Sequence, residues 1–429
     1  MGIATRCNGA APPVVALADI DLGSEDFWSL DDDIRDGAFA TLRREAPISF
    51  HPAPEVDGFE SGNGHWALTK YDDVHHASRH PAIFSSQPTS TSLVEVPAEI
   101  AEFAGSMISL DDPRHLRLRT IVNSAFKPKV VARIEDSVRD RARRLVTAMV
   151  TDHPDGQCDF VAQLAGPLPL QIICDMMGIP EQDHQKIFHW TNVILGTGDP
   201  EVAGDLNEII KAATDIAAYG VALAEERRAN PGEDLTSSLV TAEVDGERLT
   251  STEIASFFLL LTAAGNETTR NAISHGMVAL TRYPDERQKW WDDFDGAAGT
   301  AVEEIVRWAS PLIFMRRTLT QDTEVSGTGM KAGDKVSLWY CSANRDEDKF
   351  ADPWRFDVRR SPNPQVGFGA GGTHFCLGAN LARREIRVAY EELRRQIPDI
   401  VATEEPAILR SAFIHGIKFL PVAWTPPSR

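Results

Sequence analysis

A mainly helical fold with a minor β portion is predicted by three observations. Helical apolar periodicity dominates from Arg114 to about Ile305. Short runs that read as strands occur only toward the two ends of the chain. A long irregular stretch, Ala351 to Thr373, is dense in Pro, Gly, Asp and Arg and is followed by one more helix, Leu377 to Gln396. Such a structureless segment inside a compact domain is usually functional.

Taken in order, residues 1–22 carry Gly, Ala and a Pro pair and read as a loosely held arm. Residues 23–429 read as a single domain. The pattern from Asp31 to Glu45 is helical. Ile48–Phe50 and His65–Leu68 read as strands with Gly62–Gly64 as the turn between them. Ser85 to Ser92 is a polar loop. Helices then follow one another, broken at Pro180, Pro200 and Pro231–Gly232. Lys331–Tyr340 and Phe413–Val422 return to strand. Strands from both ends that pair into one sheet argue for one domain.

The 43 Lys and Arg against 63 Asp and Glu leave a net charge of −20. That excludes nucleic acid and anionic membrane as partners of the whole surface. The odd count of 5 cysteines, with no CxxC spacing, argues against a disulfide scaffold or a zinc site. No signal peptide is read at the N-terminus, and the longest apolar run, Ala255 to Gly265, is too short to span a bilayer. The expected setting is cytoplasmic.

Of the five cysteines, Cys376 stands in unusual surroundings: Phe368-Gly-Ala-Gly-Gly-Thr-His374-Phe-Cys376-Leu-Gly378. The glycines, Gly371 and Gly378 among them, let the backbone approach something flat and large. Cys376 immediately precedes a helix, whose dipole and unpaired N–H groups favour a thiolate. A thiolate is an electron-donating ligand for haem iron that favours O–O cleavage. His374 can donate to a haem carboxylate. In Asp112-Pro-Arg-His115-Leu-Arg-Leu-Arg119, His115 and Arg119 lie one helical turn apart and suit a pair of propionates.

A second motif interrupts an apolar helix opened by Ser251 or Thr252 as N-cap: Ala264-Gly-Asn-Glu267-Thr268-Thr. A buried carboxylate is costly unless paired, and a threonine that bonds back to the preceding turn opens the helix locally. The reading is that Thr268 steadies oxygen as it is reduced and Glu267 relays protons to it through water. Glu304 and Arg307 share one helix face.

These motifs resemble the cytochrome P450 family, which carries Phe-Gly-x-Gly-x-His-x-Cys-x-Gly and Ala-Gly-x-Glu-Thr. Phe368 stands eight residues before Cys376 rather than seven, one more than the family pattern. The resemblance implies the P450 fold, with haem b between the helix carrying Thr268 and the helix following Cys376. It implies that Phe368 packs on the haem and that Arg317, or its neighbour Arg316, is a further propionate ligand. It also implies a buried triad of Glu304, Arg307 and an arginine from Pro353-Trp-Arg355-Phe, with Arg355 in that place and Arg359 as the substitute. A basic face with Arg114, Arg117, Lys127, Lys129, Arg133, Arg383, Arg384 and Arg387 would then border the cysteine side and dock a ferredoxin, itself served by a ferredoxin reductase.

On the same footing the substrate pocket would draw on Ile108, Leu260, Ala263, Ala264, Leu312, Ile313, Phe314 and Phe413, a list without charge. Stretches such as Phe27-Trp-Ser-Leu-Asp-Asp-Asp-Ile and Trp339-Tyr-Cys-Ser-Ala-Asn-Arg-Asp resemble a mycobacterial branch that hydroxylates the terminal carbon of methyl-branched lipids. That implies a monooxygenase using dioxygen on branched fatty acids or isoprenoid alcohols. Sterol side chains are the second substrate class, and a haem sensor or carrier without turnover is the reading from another class.

Overall fold

The computed structural model describes residues 8–54, 62–95, 98–125, 128–197, 199–202, 205–244 and 246–426. The longest helix, Ser251–Arg282, runs through the core and packs against Leu206–Ala229, Pro167–Met177, Phe294–Ala309 and Ala98–Gly105. Burial drives this: Ile254, Phe257, Phe258, Ile273, Met277 and Leu280 all lie in the main apolar core. The helix starts one residue earlier than expected. Thr250 caps it, accepting from Glu253 N at 3.1 Å while the Glu253 carboxylate accepts from Thr250 N at 2.9 Å. This capping box satisfies two end groups at once, and a cap of this kind is worth about 1 kcal/mol.

The main sheet joins residues 48–85 to residues 314–339, and the C-terminal strand expected over Phe413–Val422 takes no part in it. Five strands run in the order Ile48–His51, His65–Leu68, Lys335–Trp339, Phe314–Leu319, Phe84–Ser85. His65–Leu68 pairs in parallel with Lys335–Trp339, a contact only a long crossover can make. The C-terminal strands Ile417–Phe419 and Pro421–Ala423 join separate small sheets. Ala351 to Thr373 forms turns and bends without helix or strand, and the last helix begins at Ala379.

The segment expected as a loose arm is tied down from Asn8 onward. Asn8 exchanges two hydrogen bonds with the backbone of Phe356, Thr41 donates to Val15 O, and Leu22 is fully buried. Among the described residues, no helix is long and apolar enough to cross a membrane.

Candidate active site

The cysteine loop is shaped by its glycines. Gly369, Gly371 and Gly372 all adopt positive φ, at 94°, 82° and 83°. A Cβ at Gly372 would meet Ser78 O at 2.2 Å, so the loop tucks under the helix Tyr71–Arg79 only because glycine stands there. The Ser78 hydroxyl donates to Gly371 O at 2.8 Å. Cys376 N then closes the loop on Phe368 O at 2.9 Å. Phe368 stands on the cavity wall, with Arg383 4.4 Å from its ring. Gly371 itself turns away: it lies beside Ser78 and Arg79 and is outside the cavity lining.

Cys376 opens onto this cavity yet is closely surrounded by protein. Burial raises its thiol pKa, and the N–H groups of Gly378 and Ala379 with the charges of Arg119 and Arg383 offset this only in part. Burial thus opposes the thiolate preference expected of the helix start. The same cavity is rimmed by hydrogen-bond donors, two of them arginines. His115 is 2% exposed, its Nδ1 3.0 Å from Asp112 Oδ1, and its Nε2 has no partner. Arg119 reaches Phe375 O at 2.6 Å. Arg317 is buried and, among the described residues, donates only to Arg316 O at 2.7 Å.

His374 lies with its ring 4.2 Å from that of His115 and its Nε2 3.1 Å from Ser86 Oγ. Burial, followed by Arg317, His115 and Arg119, pushes His374 down to about 2. Arg316 points elsewhere, to Ser92 O at 3.1 Å and Val94 O at 3.4 Å, so of the two arginines Arg317 is the one that lines this cavity. The unpartnered His115 Nε2 and the buried Arg317, which meets no carboxylate among the described residues, stand with Arg119 around a cavity walled by Phe368, Leu377 and Ala264, and fit a flat group carrying two carboxylates. A haem is such a group, and Cys376 is the soft ligand its iron would take.

Across the cavity stands the long helix. Thr268 Oγ1 donates to Ala264 O at 2.9 Å, the expected back-bond, although the helix continues as α without a bulge. Glu267 is buried, and Arg270 holds its Oε1 at 2.6 Å. Asn192 Oδ1 in turn accepts from Arg270 at 2.9 Å. The buried charge is thus paired, which removes most of its cost.

Glu304 and Arg307 form a bidentate pair at 2.7 and 2.8 Å, both fully buried. The third member is Arg360, not Arg355 or Arg359. Its Nε lies 3.0 Å from Glu304 Oε2, and its guanidinium also donates to the carbonyls of Ala351, Asp352 and Arg355. The turn Asp357–Arg360 swings Arg360 inward, whereas Arg355 is 45% exposed and contributes its carbonyl. Arg359 pairs with Asp293 at 3.1 Å.

A second cavity, about 480 Å³, meets the first at Thr268 and Ala264. Ile108, Leu260, Ala263, Leu312, Phe314 and Phe413 line it as expected. Ile313 does not. Leu312 and Phe314 face the cavity, and period-two alternation sends Ile313 to the other side, beside Trp339. The structure adds Trp28, Leu93, Ile194, Leu195 and Leu259 to the wall. These come from distant segments and were not anticipated; only their apolar character marked them.

On the expected docking face, Lys127 lies outside the described residues, as do the side chains of Lys129 and Arg133. Arg117 pairs with Glu253 at 3.2 Å, Arg383 with Glu303 and Arg387 with Asp295 at 2.8 Å. The face is therefore less positive than the sequence suggests. It also exposes Leu116 and Phe375.

Known proteins agree with this geometry. The cytochrome P450 family profile matches residues 61–393. The chain is 72% identical over 423 residues to the methyl-branched lipid omega-hydroxylase of Mycobacterium tuberculosis, covering 99% of each. It is 38% identical over 396 residues to the steroid C26-monooxygenase of the same organism, covering 90% of this chain and 89% of that one. A Mycobacterium marinum cytochrome P450 solved with pseudoionone superposes with a TM-score of 0.90 at 41% identity, over 97% of this chain and 100% of that one. A cysteine loop facing a Glu-Thr helix across a cation-rimmed cavity, in a chain so closely related to these enzymes, makes this protein a monooxygenase belonging to the cytochrome P450 family.

Proposed function

We propose that the protein is a haem b monooxygenase that hydroxylates the terminal (ω) carbon of methyl-branched lipids, such as branched fatty acids and isoprenoid alcohols. Electrons come from a ferredoxin and its reductase in the cytoplasm. The observation that carries this reading is the second cavity. Apart from Thr268 and Glu267, whose carboxylate is paired with Arg270, its wall toward that end is hydrocarbon (Leu260, Ala263, Ala264, Leu312 and Phe314), so the part of the substrate nearest the site of reaction is a hydrocarbon. The relationship to the mycobacterial omega-hydroxylase supports the branched chain end.

When bound, the haem supplies the activation of dioxygen at an iron held by Cys376. The chain's own residues do the rest. His115, Arg119, Arg317 and His374 hold two carboxylates and so fix the plane of the group. Thr268 donates its hydroxyl hydrogen bond to Ala264 O, which leaves its oxygen as an acceptor that positions a proton donor in the cavity. Glu267, held by Arg270, is the acid nearest to that point on the helix and passes protons inward through water. Glu304, Arg307 and Arg360 fix the meander that frames the cysteine loop. A terminal carbon is harder to oxidise than its branched neighbour, so the reaction requires end-on entry along the cavity that Leu312, Phe314 and Phe413 line.

Titration of the ferric protein with a methyl-branched fatty acid, its straight-chain isomer and a sterol tests the reading through the spin-state shift of the Soret band. A saturable shift at much lower concentration of the branched lipid, followed by terminal hydroxylation, is expected. A shift with the sterol alone moves the assignment to sterol side chains. Haem binding without turnover of any of them makes the protein a sensor or carrier, a role that needs neither Glu267 nor Thr268.

A further inference from the structure

The lining of the apolar cavity changes where it reaches solvent. Among the described residues, Arg410 is the one cation on its wall, and Glu25 and Glu267 are the acids. Glu267 belongs to Arg270. Arg410 lies on the C-terminal loop three residues before Phe413, and its Nη2 holds Glu25 Oε2 at 3.1 Å. The two side chains are 35% and 60% exposed, so the pair is weak and readily exchanged. The root of the loop is fixed: Arg410 N donates to Asp199 Oδ2 at 3.0 Å, and Lys418 holds the same oxygen at 2.8 Å. Arg410 Nε and Nη1 donate to no protein group among the described residues. Part of a planar fork suited to a carboxylate is therefore unused, at the open end of a hydrocarbon channel.

We propose that Arg410 receives the anionic end of the substrate, a fatty acid carboxylate whose chain extends toward Thr268, with Glu25 as the internal anion it displaces. This rests on the branched-lipid reading and deepens it: the free acid, ionised at neutral pH, is preferred over the alcohol or ester. Ferric holoenzyme is titrated with a branched fatty acid, its methyl ester and the matching alcohol, in the parent protein and in Arg410→Gln, Arg410→Lys and Glu25→Gln. Arg410→Gln is expected to raise Kd for the acid about tenfold, as loss of a charge-assisted contact does, and for the ester at most about twofold. Arg410→Lys should retain part of the acid preference, and Glu25→Gln should tighten acid binding.

Equal weakening of acid and ester in Arg410→Gln, or an unchanged acid Kd, overturns the proposal while leaving the lipid reading intact. A parent protein that shifts with none of the three lipids overturns both.

Discussion

The two cavities that meet at Thr268 are built in opposite ways. The one beside Cys376 is rimmed by His115, Arg119, Arg317 and His374, and most of its chemistry comes from short local motifs. The one beyond Thr268 is walled by side chains from segments as far apart as Trp28, Leu195, Leu312 and Phe413, none of them chemically distinctive. Chemistry that depends on one residue type at one position leaves a local trace. Shape that depends on many apolar contacts is exchangeable residue by residue and leaves little. The sharpest test of this contrast is Cys376→Ser. It should abolish product formation and the thiolate signature of the reduced carbon monoxide difference spectrum. No conservative change of a single wall residue such as Leu312→Met should do either.

The same contrast runs through the framing triad. Glu304 and Arg307 are legible because i, i+3 spacing on a helix fixes their geometry. Arg360 is not, because Ala351 to Thr373 has no period from which to read direction, and three arginines compete there. What distinguishes Arg360 is that its guanidinium is buried against Glu304, a tertiary detail. Removing it leaves the Glu304 charge half-compensated in a fully buried site. Arg360→Ala should therefore cost about 3–5 kcal/mol in denaturant unfolding. Arg355→Ala should cost under about 1 kcal/mol, since Arg355 is 45% exposed and 3.9 Å from Glu286. Equal costs for both would break the assignment.

Two other features do leave a local signal in the sequence. Thr250 stands three residues before Glu253, the capping-box spacing, which favours it over Ser251 or Thr252. Ile313 sits between Leu312 and Phe314 at the mouth of a strand, where neighbours face opposite ways. The tethering of residues 8–22 had no such signal. It depends on Asn8 reaching Phe356, a contact 348 residues away in sequence. The raised thiol of Cys376 was illegible for a similar reason. A helix start is local, but the burial that opposes it is assembled by the whole fold.

At the junction of the cavities, Thr268 belongs to both linings, so its change should show which function it serves. Thr268→Ala should keep oxygen consumption while product per electron falls at least roughly tenfold, the scale of a lost proton-positioning group. Unchanged yield would assign Thr268 to the wall rather than to proton delivery. A changed substrate Kd with normal yield would do the same.

The smallest effect is expected on the outer side of the cysteine cavity. Long-range steering by a strongly basic face accelerates association by about 10–10³-fold and is lost with salt. Here Arg117, Arg383 and Arg387 already hold Glu253, Glu303 and Asp295, so their far field is largely cancelled. The exposed Leu116 and Phe375 offer instead an apolar contact beside Cys376 that salt does not screen. Reduction by a ferredoxin, followed by stopped flow, should therefore slow only a few-fold as ionic strength rises. Leu116→Ser should slow it by a comparable factor at every ionic strength, because it removes buried contact rather than charge. A rate wholly insensitive to salt would sink the charged part of the docking surface. A rate indifferent to Leu116 would sink the apolar part, and with it the placement of the donor over this face.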